Sequence, residues 1–336
     1  MNKTSRVRGI AHRSPIDRNP RAAAISRTAS TLSSLSSTET RLLEQQLQVR
    51  AVKELPHLTL EHLGATIGTV IHGINMSNAT DQEIRYVYSL LLERKVIFFR
   101  DQHCSETEHI AFGRRFGELE IHVREEYLDP HYPELLRVSN VVEAGREVGI
   151  LQDKELGWHH DQSYMKEPAI GSMLCAFTLP NWGGDTSFAN LAVAYEALDD
   201  QAKARLDGRR VIHSYSYFNG IWSVPTNDTQ TNRTPDVSQP MVRTHPITGR
   251  KAIYVDPAMV PMIDGDDEEE SRELLDELFE WIIKPEFVYR HQWQPGDAIL
   301  WDNASTMHRR ESFDPHSERL MKRTTIRPKP ALAVPF

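Results

Sequence analysis

The sequence predicts a mainly β chain with flanking helices, built as a β-sandwich or jelly roll. Three observations carry this prediction. Many short runs rich in Val, Ile, Phe and Thr are separated by turn residues at close spacing. Helical periodicity is confined to a few stretches, so the regular strand–helix alternation of a doubly wound sheet is missing. Two strand-like runs end in metal-binding residue types: Trp158-His159-His160-Asp161, and the isolated His308 that follows Ala298 to Trp301.

Composition narrows the class. Of 336 residues, 39% are hydrophobic and 26% charged, as in ordinary globular domains. No apolar run reaches the roughly 18 residues that a membrane helix needs, so no membrane partner is expected. Cys104 and Cys175 stand far apart in sequence and form no C-x-x-C, which gives no disulfide framework or zinc knuckle. A reducing, cytoplasmic compartment is therefore the default. Residues 1–50 carry nine Lys/Arg against three Asp/Glu, a balance of +6 that leaves −14 on the remainder of a chain of net charge −8. An acidic body argues against nucleic acid as a partner. The Arg- and Ser-rich residues 1–50 read as a disordered or weakly ordered extension, with a short helix at 39–50. The same composition also fits an organelle transit peptide.

The elements follow in order. From Leu58 to Ile74, apolar and polar residues alternate among glycines, like short strands entering a sheet. Thr80 and Glu83 have capping-box spacing, and Ile84, Val87, Tyr88 and Leu91 then keep a helical period. Val96 to Phe99 reads as a buried strand, and Ser105 with Glu108 opens a second helix that ends near Gly117. His122 stands in the charge-rich stretch 120–126, which by itself reads as a surface loop. Leu136 to Val142 is the next strand. Residues 143–156 read as a mobile loop where a lid would sit. Gly171 to Thr178 is a strand, Pro180 to Asp185 a turn, and Thr186 lies on the strand after it. Residues 192–207 read as one helix with Tyr195 and Leu198 on one side. The polar, aperiodic stretch 214–240 reads as a second cover. Val242 to Val255 reads as strand, Thr248-Gly249 turn, strand. The acidic run Asp264 to Glu270 is a helix start, because acids favour the positive end of the helix dipole; Leu274, Leu275, Leu278, Phe279 and Ile282 then form the apolar stripe. Phe287 to His291 and Asp297 to Trp301 complete the strands.

In an extended strand, side chains two apart share a face. His159 and Asp161 then reach one ion while His160 points away. A His-x-Asp alone is common, and a polar strand end explains it equally well. Joined by His308, it becomes two histidines and one carboxylate, the facial triad of non-heme Fe(II) oxygenases with three positions open. Arg319, eleven residues beyond His308, and Arg323, four further on, suit bidentate pairing with a dicarboxylate co-substrate. Two alternatives share the donor set. One is a zinc-dependent hydrolase, which lacks a general-base Glu at helical spacing. The other is a non-catalytic jelly-roll ligand-binding protein.

Five stretches occur in a fixed order: 158–161 (Trp-His-His-Asp), 183–190 (Gly-Gly-Asp-Thr-Ser-Phe-Ala-Asn), 242–251 (Val-Arg-Thr-His-Pro-Ile-Thr-Gly-Arg-Lys), 296–303 (Gly-Asp-Ala-Ile-Leu-Trp-Asp-Asn) and 319–325 (Arg-Leu-Met-Lys-Arg-Thr-Thr). Together they resemble the taurine dioxygenase and 2,4-dichlorophenoxyacetate dioxygenase (TauD/TfdA) family of Fe(II)/2-oxoglutarate enzymes, from about residue 58 to 329. The resemblance implies a double-stranded β-helix, a jelly-roll variant, for residues 51–336. It implies Fe(II) on His159, Asp161 and His308. It gives 2-oxoglutarate as a co-substrate held by Arg319 with Thr186, O2 as the oxidant, and no catalytic residue beyond the triad. It makes His122 and Arg323 substrate contacts, Arg323 for an anionic head. The implied reaction hydroxylates a C–H bond of a small organic carboxylate or sulfonate and releases succinate and CO2. Desaturation and homo-oligomer formation are left open. Glu155 and Glu125 depart from a sulfonate-binding pattern; carboxylates near an anion site would repel taurine and favour an amine-bearing acid. His160 fills a slot usually held by Thr or Ser. The presence of Asp161 argues against a halogenase.

Overall fold

A computed structural model describes residues 54–150, 155–222 and 226–328. The expected extension at 1–50 and the short helix at 39–50 lie outside the described residues. The chain begins with β1 (Thr59–His62) and β2 (Thr69–His72), an antiparallel pair. Helix α1 (Asp81–Arg94) starts on Thr80: its hydroxyl accepts from the Glu83 backbone, and the Glu83 side chain accepts from the Thr80 N–H. This closes two N–H groups that the first turn would leave bare. After β3 (Val96–Phe99), Ser105 and Glu108 start α2 (Glu106–Gly113) in the same way. Strands β4 (Leu136–Ser139), β5 (Val142–Glu143), β6 (Arg146–Glu147), β7 (Leu156–His159), β8 (Gly171–Thr178) and β9 (Thr186–Asn190) follow. Next come α3 (Leu191–Glu196), α4 (Asp200–Leu206), β10 (Arg210–His213), α5 (Tyr215–Trp222), α6 (Asp228–Arg233) and β11 (Val237–Pro240). The chain continues with β12 (Val242–Thr244), β13 (Lys251–Ile253), β14 (Met262–Ile263) and α7 (Glu268–Ile282). It closes with β15 (Val288–His291), β16 (Ala298–Asp302), β17 (Thr306–Arg310) and β18 (Leu320–Ile326).

Two sheets organise these strands. The larger has the order β1-β2-β3-β16-β8-β18-β4, the smaller β15-β9-β17-β7. All pairs in both are antiparallel except β2 with β3. Alternation along β3 shows how the layers form. Ile97 and Phe99 pack with Val87, Leu90 and Phe112 of α1 and α2. Val96 and Phe98 turn the other way, toward Phe188 of the smaller sheet; the Phe98 and Phe188 rings meet edge-on at 6.2 Å. The smaller sheet's outer face, with Ala189 and Met307, is covered by Leu274, Leu275, Leu278 and Ile282 of α7, the predicted stripe. A capping box on Asp267 and Glu270 starts that helix, as the acidic run predicts.

Three expectations change. Residues 143–156 are not one loop. β5 and β6 pair as a hairpin turned by Ala144 (φ 50°) and Gly145 (φ 77°), and β7 begins at Leu156; residues 151–154 lie outside the described residues. The helix expected at 192–207 is two helices, because Asp199 accepts from Ala202 N–H and caps a new start. The aperiodic 214–240 stretch holds α5, α6 and β11. Cys104 and Cys175 are both free thiols, yet their sulfurs approach to 3.8 Å.

Candidate active site

The smaller sheet brings the two histidines together. In register, His308 of β17 stands directly opposite His159 of β7, and their ring centroids are 4.2 Å apart. The His159 Nδ1–H donates to the carbonyl of Gly157 at 2.8 Å, which leaves the Nε2 lone pair for an ion. His308 is packed between Trp301 at 4.9 Å and Phe188 at 5.9 Å. Burial pulls both imidazoles below their usual pKa, His308 well below because His159 is beside it, so both are neutral ligands.

Asp161 lies just past the end of β7, in a turn. Its backbone is clamped by Asn303: the Asp161 N–H donates to Asn303 Oδ1 at 3.0 Å, and Asn303 Nδ2 donates back to the Asp161 carbonyl at 2.7 Å. The carboxylate accepts from Ser172 Oγ at 2.6 Å through Oδ2, and from the Arg323 guanidinium through Oδ1. Burial alone would raise its pKa. The Arg323 cation leads the effects that more than offset that, with the Ser172 hydrogen bond among them, and the carboxyl is held down to about 2. The ligand atoms of His159, Asp161 and His308 all lie within 4.8 Å of one another. Two neutral imidazoles and one firmly ionised carboxylate form a donor set that fits Fe(II). His160 points away, as strand alternation predicts, and pairs with Asp256.

The three ligands open onto a cavity of about 610 Å³, which also reaches Thr186, Arg319, Arg323 and His122. This is the size of a small-molecule site. Arg319 is 1% exposed, and its Nε and Nη1 find no hydrogen-bond partner among the described residues. Burial and then the neighbouring Arg310 cation pull its pKa well below the usual guanidinium value. A buried guanidinium is costly without an anion, so Arg319 is built to receive one. The Gly-Gly of the 183–190 stretch makes room for it. Gly184 (φ +73°) would place a Cβ 3.1 Å from Arg319 Nε, and Gly183 (φ +74°) one 2.4 Å from the Ser312 carbonyl. Thr186 sits opposite Arg310 in the β9–β17 ladder. Its hydroxyl accepts from Trp293 Nε1 at 3.0 Å. An indole N–H only donates, so the Thr186 hydroxyl proton is left for a carboxylate.

His122 is 7% exposed rather than a surface loop residue. Its Nδ1 accepts the Arg124 backbone N–H at 3.1 Å, so its Nε2 carries the proton. Burial, with Arg323 adding to it, takes its pKa to about 3 and keeps it a neutral donor. Of the two departing carboxylates, Glu155 lines the cavity and bonds Arg309, whereas Glu125 pairs with Arg233 outside it.

Several site residues carried no sequence signal of their own. Arg310, Trp293 and Ser172 act across strands. Asn303 was legible only as part of the Trp-Asp-Asn stretch. Helix α5 supplies an aromatic wall in which Tyr215 packs on Tyr164 at 4.3 Å and on Phe218 at 6.1 Å. Of the 214–240 stretch expected as a cover, helix α5 lines the cavity, through Tyr215, Phe218, Asn219 and Ile221.

Comparison with known proteins agrees with this geometry. The family model described as "Taurine catabolism dioxygenase TauD, TfdA family" matches residues 59–325. The (S)-phenoxypropionate/alpha-ketoglutarate-dioxygenase of Sphingobium herbicidovorans is 32% identical, over 82% of this chain and 97% of its own. The alpha-ketoglutarate-dependent 2,4-dichlorophenoxyacetate dioxygenase of a Burkholderia species is 36% identical, over 72% of this chain and 85% of its own. Among solved structures, that of AAD-2 in complex with Mn(II) and N-oxalylglycine superposes with a TM-score of 0.69 at 31% identity, covering 80% of this chain and 97% of that one.

Proposed function

This chain belongs to the TauD/TfdA family and is an Fe(II)- and 2-oxoglutarate-dependent dioxygenase, and from that premise we propose which residues do the work and on what. His159, Asp161 and His308 hold Fe(II). Arg319 pairs with the far carboxylate of 2-oxoglutarate, and Thr186 donates its hydroxyl to the same group. The single observation that carries this reading is the convergence of three ligating groups within 4.8 Å on a cavity that also meets a buried, unpaired guanidinium. The fold that holds them is the double-stranded β-helix, a reading supported by two mainly antiparallel sheets packed through Phe98 and Phe188.

When bound, Fe(II) with 2-oxoglutarate and O2 supplies the oxidising chemistry, releasing succinate and CO2 and placing oxygen on a substrate C–H. The protein's own part is positioning and exclusion of water. Arg323 and the Nε2–H of His122 bind an anionic head, a carboxylate or sulfonate. Tyr164, Tyr215 and Phe218 cover the body of the substrate. The relatives named for phenoxypropionate and 2,4-dichlorophenoxyacetate support a small organic anion, and hydroxylation is the outcome we favour. The carboxylate of Glu155 at the cavity wall supports an acid that carries an amine. A zinc hydrolase would give the Arg319–Thr186 arrangement no task, and a pure binding protein would give none to the converging His159, Asp161 and His308. We place the enzyme in the cytoplasm, a reading supported by its two free thiols.

The test is succinate formation from Fe(II) and 2-oxoglutarate, measured without and with O2, against aryloxy acids, sulfonates and amino acids. Oxygen-dependent succinate stimulated by one of these acids is the expected result. Absence of succinate from iron-loaded protein would refute the residue assignment.

A further inference from the structure

The peptide that links two of the metal ligands is held by a residue almost a hundred positions away. β7 ends at His159, so the strand ladder does not extend over the turn that carries His160 and Asp161. Asp256 takes its place. Its Oδ2 accepts the His160 Nδ1–H at 2.8 Å and the His160 backbone N–H at 3.3 Å. Its Oδ1 accepts the backbone N–H groups of Ala258 at 3.1 Å and Met259 at 2.7 Å. Both Asp256 and His160 are 0% exposed, and Met259 lines the cavity. One carboxylate therefore ties the ligand-bearing turn to the cavity wall.

A buried hydrogen-bonded pair adds little net stability over apolar groups of the same volume. What this pair adds is direction. Both bonds to Oδ2 come from the one residue flanked by two ligands, and they fix its backbone and its side chain together. We propose that Asp256 is a positioning residue for the metal site, acting through His160 to set the turn that aims His159 and Asp161 at one ion. The proposal rests on the reading of His159, Asp161 and His308 as ligands. Outer groups that orient ligands typically change metal affinity by about 10- to 100-fold when lost.

The test is Mn(II) binding to the full-length protein, read from the free-ion resonance signal, with thermal melting as the check of folding. Asp256→Ala and His160→Ala should each weaken Mn(II) by about 10- to 100-fold. The double variant should be no worse than the weaker single, because both changes break the same bond. Asp256→Asn, which keeps the volume and one acceptor oxygen, should fall between Asp256→Ala and the native protein. It serves as the reading if Asp256→Ala does not fold. A folded variant that melts lower but binds Mn(II) as the native protein does would overturn the proposal and leave Asp256 a structural residue. Native protein that binds no Mn(II) would instead overturn the metal-site reading on which it rests.

Discussion

Two buried cations, Lys95 before β3 and Arg319 before β18, meet opposite fates. Lys95 is fully buried, and its Nζ lies 3.0 Å from Asp302, whose carboxylate is also 3.4 Å from His245 Nε2 and accepts the Ala304 N–H at 3.0 Å. Arg319 is just as buried, but its Nε and Nη1 have no hydrogen-bond partner among the described residues; its guanidinium faces the Phe313 ring at 5.6 Å, and a second cation, Arg310, lies close. The first region is complete as folded. The second is completed only by an anion. Desolvating a charge costs several kcal/mol unless it is paired, so an unpaired buried guanidinium in a cavity marks function more firmly than the paired lysine does.

Substitutions at the two cations and at the metal ligands should separate their roles. The largest effect belongs to the ion itself. Asp161→Ala removes one of three ligands, and oxygen-dependent succinate formation should fall by more than about 100-fold, since loss of even an outer group can cost that much. Next is Lys95→Met, which strands Asp302 as a buried charge. Denaturation should show a loss of about 3–5 kcal/mol, on the order of 10 °C in melting temperature. Arg319→Met should do the reverse, leaving melting of the unliganded protein unchanged or higher, because an uncompensated cation is replaced by apolar volume. Its cost should appear as at least about a tenfold loss of 2-oxoglutarate affinity, the value of one charge-assisted hydrogen bond. Arg323→Ala should raise KM for the prime substrate by a similar factor, and, because its guanidinium also donates to Asp161, it should slow 2-oxoglutarate consumption without that substrate by a smaller factor.

The smallest effect is in pH. Lys95 and His245 hold the Asp302 carboxyl well below its usual range, against burial. Its folded pKa is thus below the unfolded value of about 3.9. The stability it contributes is complete above that value and is lost as pH falls below it. Native protein should therefore lose more stability than Lys95→Met between roughly pH 5 and pH 2, measured by denaturant midpoints.

The sequence carried the ligands well and their supports poorly. His159, Asp161 and His308 were legible because strand geometry gives a fixed rule, a period of two, and because ordered motifs flank them. Thr186 and Arg319 came through the same motifs. The strand rule was only partly right: β7 stops at His159, and Asp161 is aimed by Asn303 and Ser172 instead of by a ladder. Such long-range bonds have no period, so Trp293, Arg310 and Asp256 gave no signal. For His122 the charged neighbours alone suggested a surface loop, and only the resemblance made it a substrate contact; the fold buries it at the cavity. The capping pairs at Thr80 and Ser105 were read correctly, because their partners are three residues away; at Asp267 the acidic run showed the helix start but not the box that closes it. Asp199, which splits the expected 192–207 helix, lacks a Glu or Gln three residues on and was missed.

The measurement that tests this account most directly is calorimetric titration of 2-oxoglutarate into Mn(II)-loaded native protein and Arg319→Met, with melting of both in the absence of ligand. Binding should be at least about tenfold weaker in the variant, with a melting temperature no lower than that of the native protein. Equal affinity in the two proteins would contradict it.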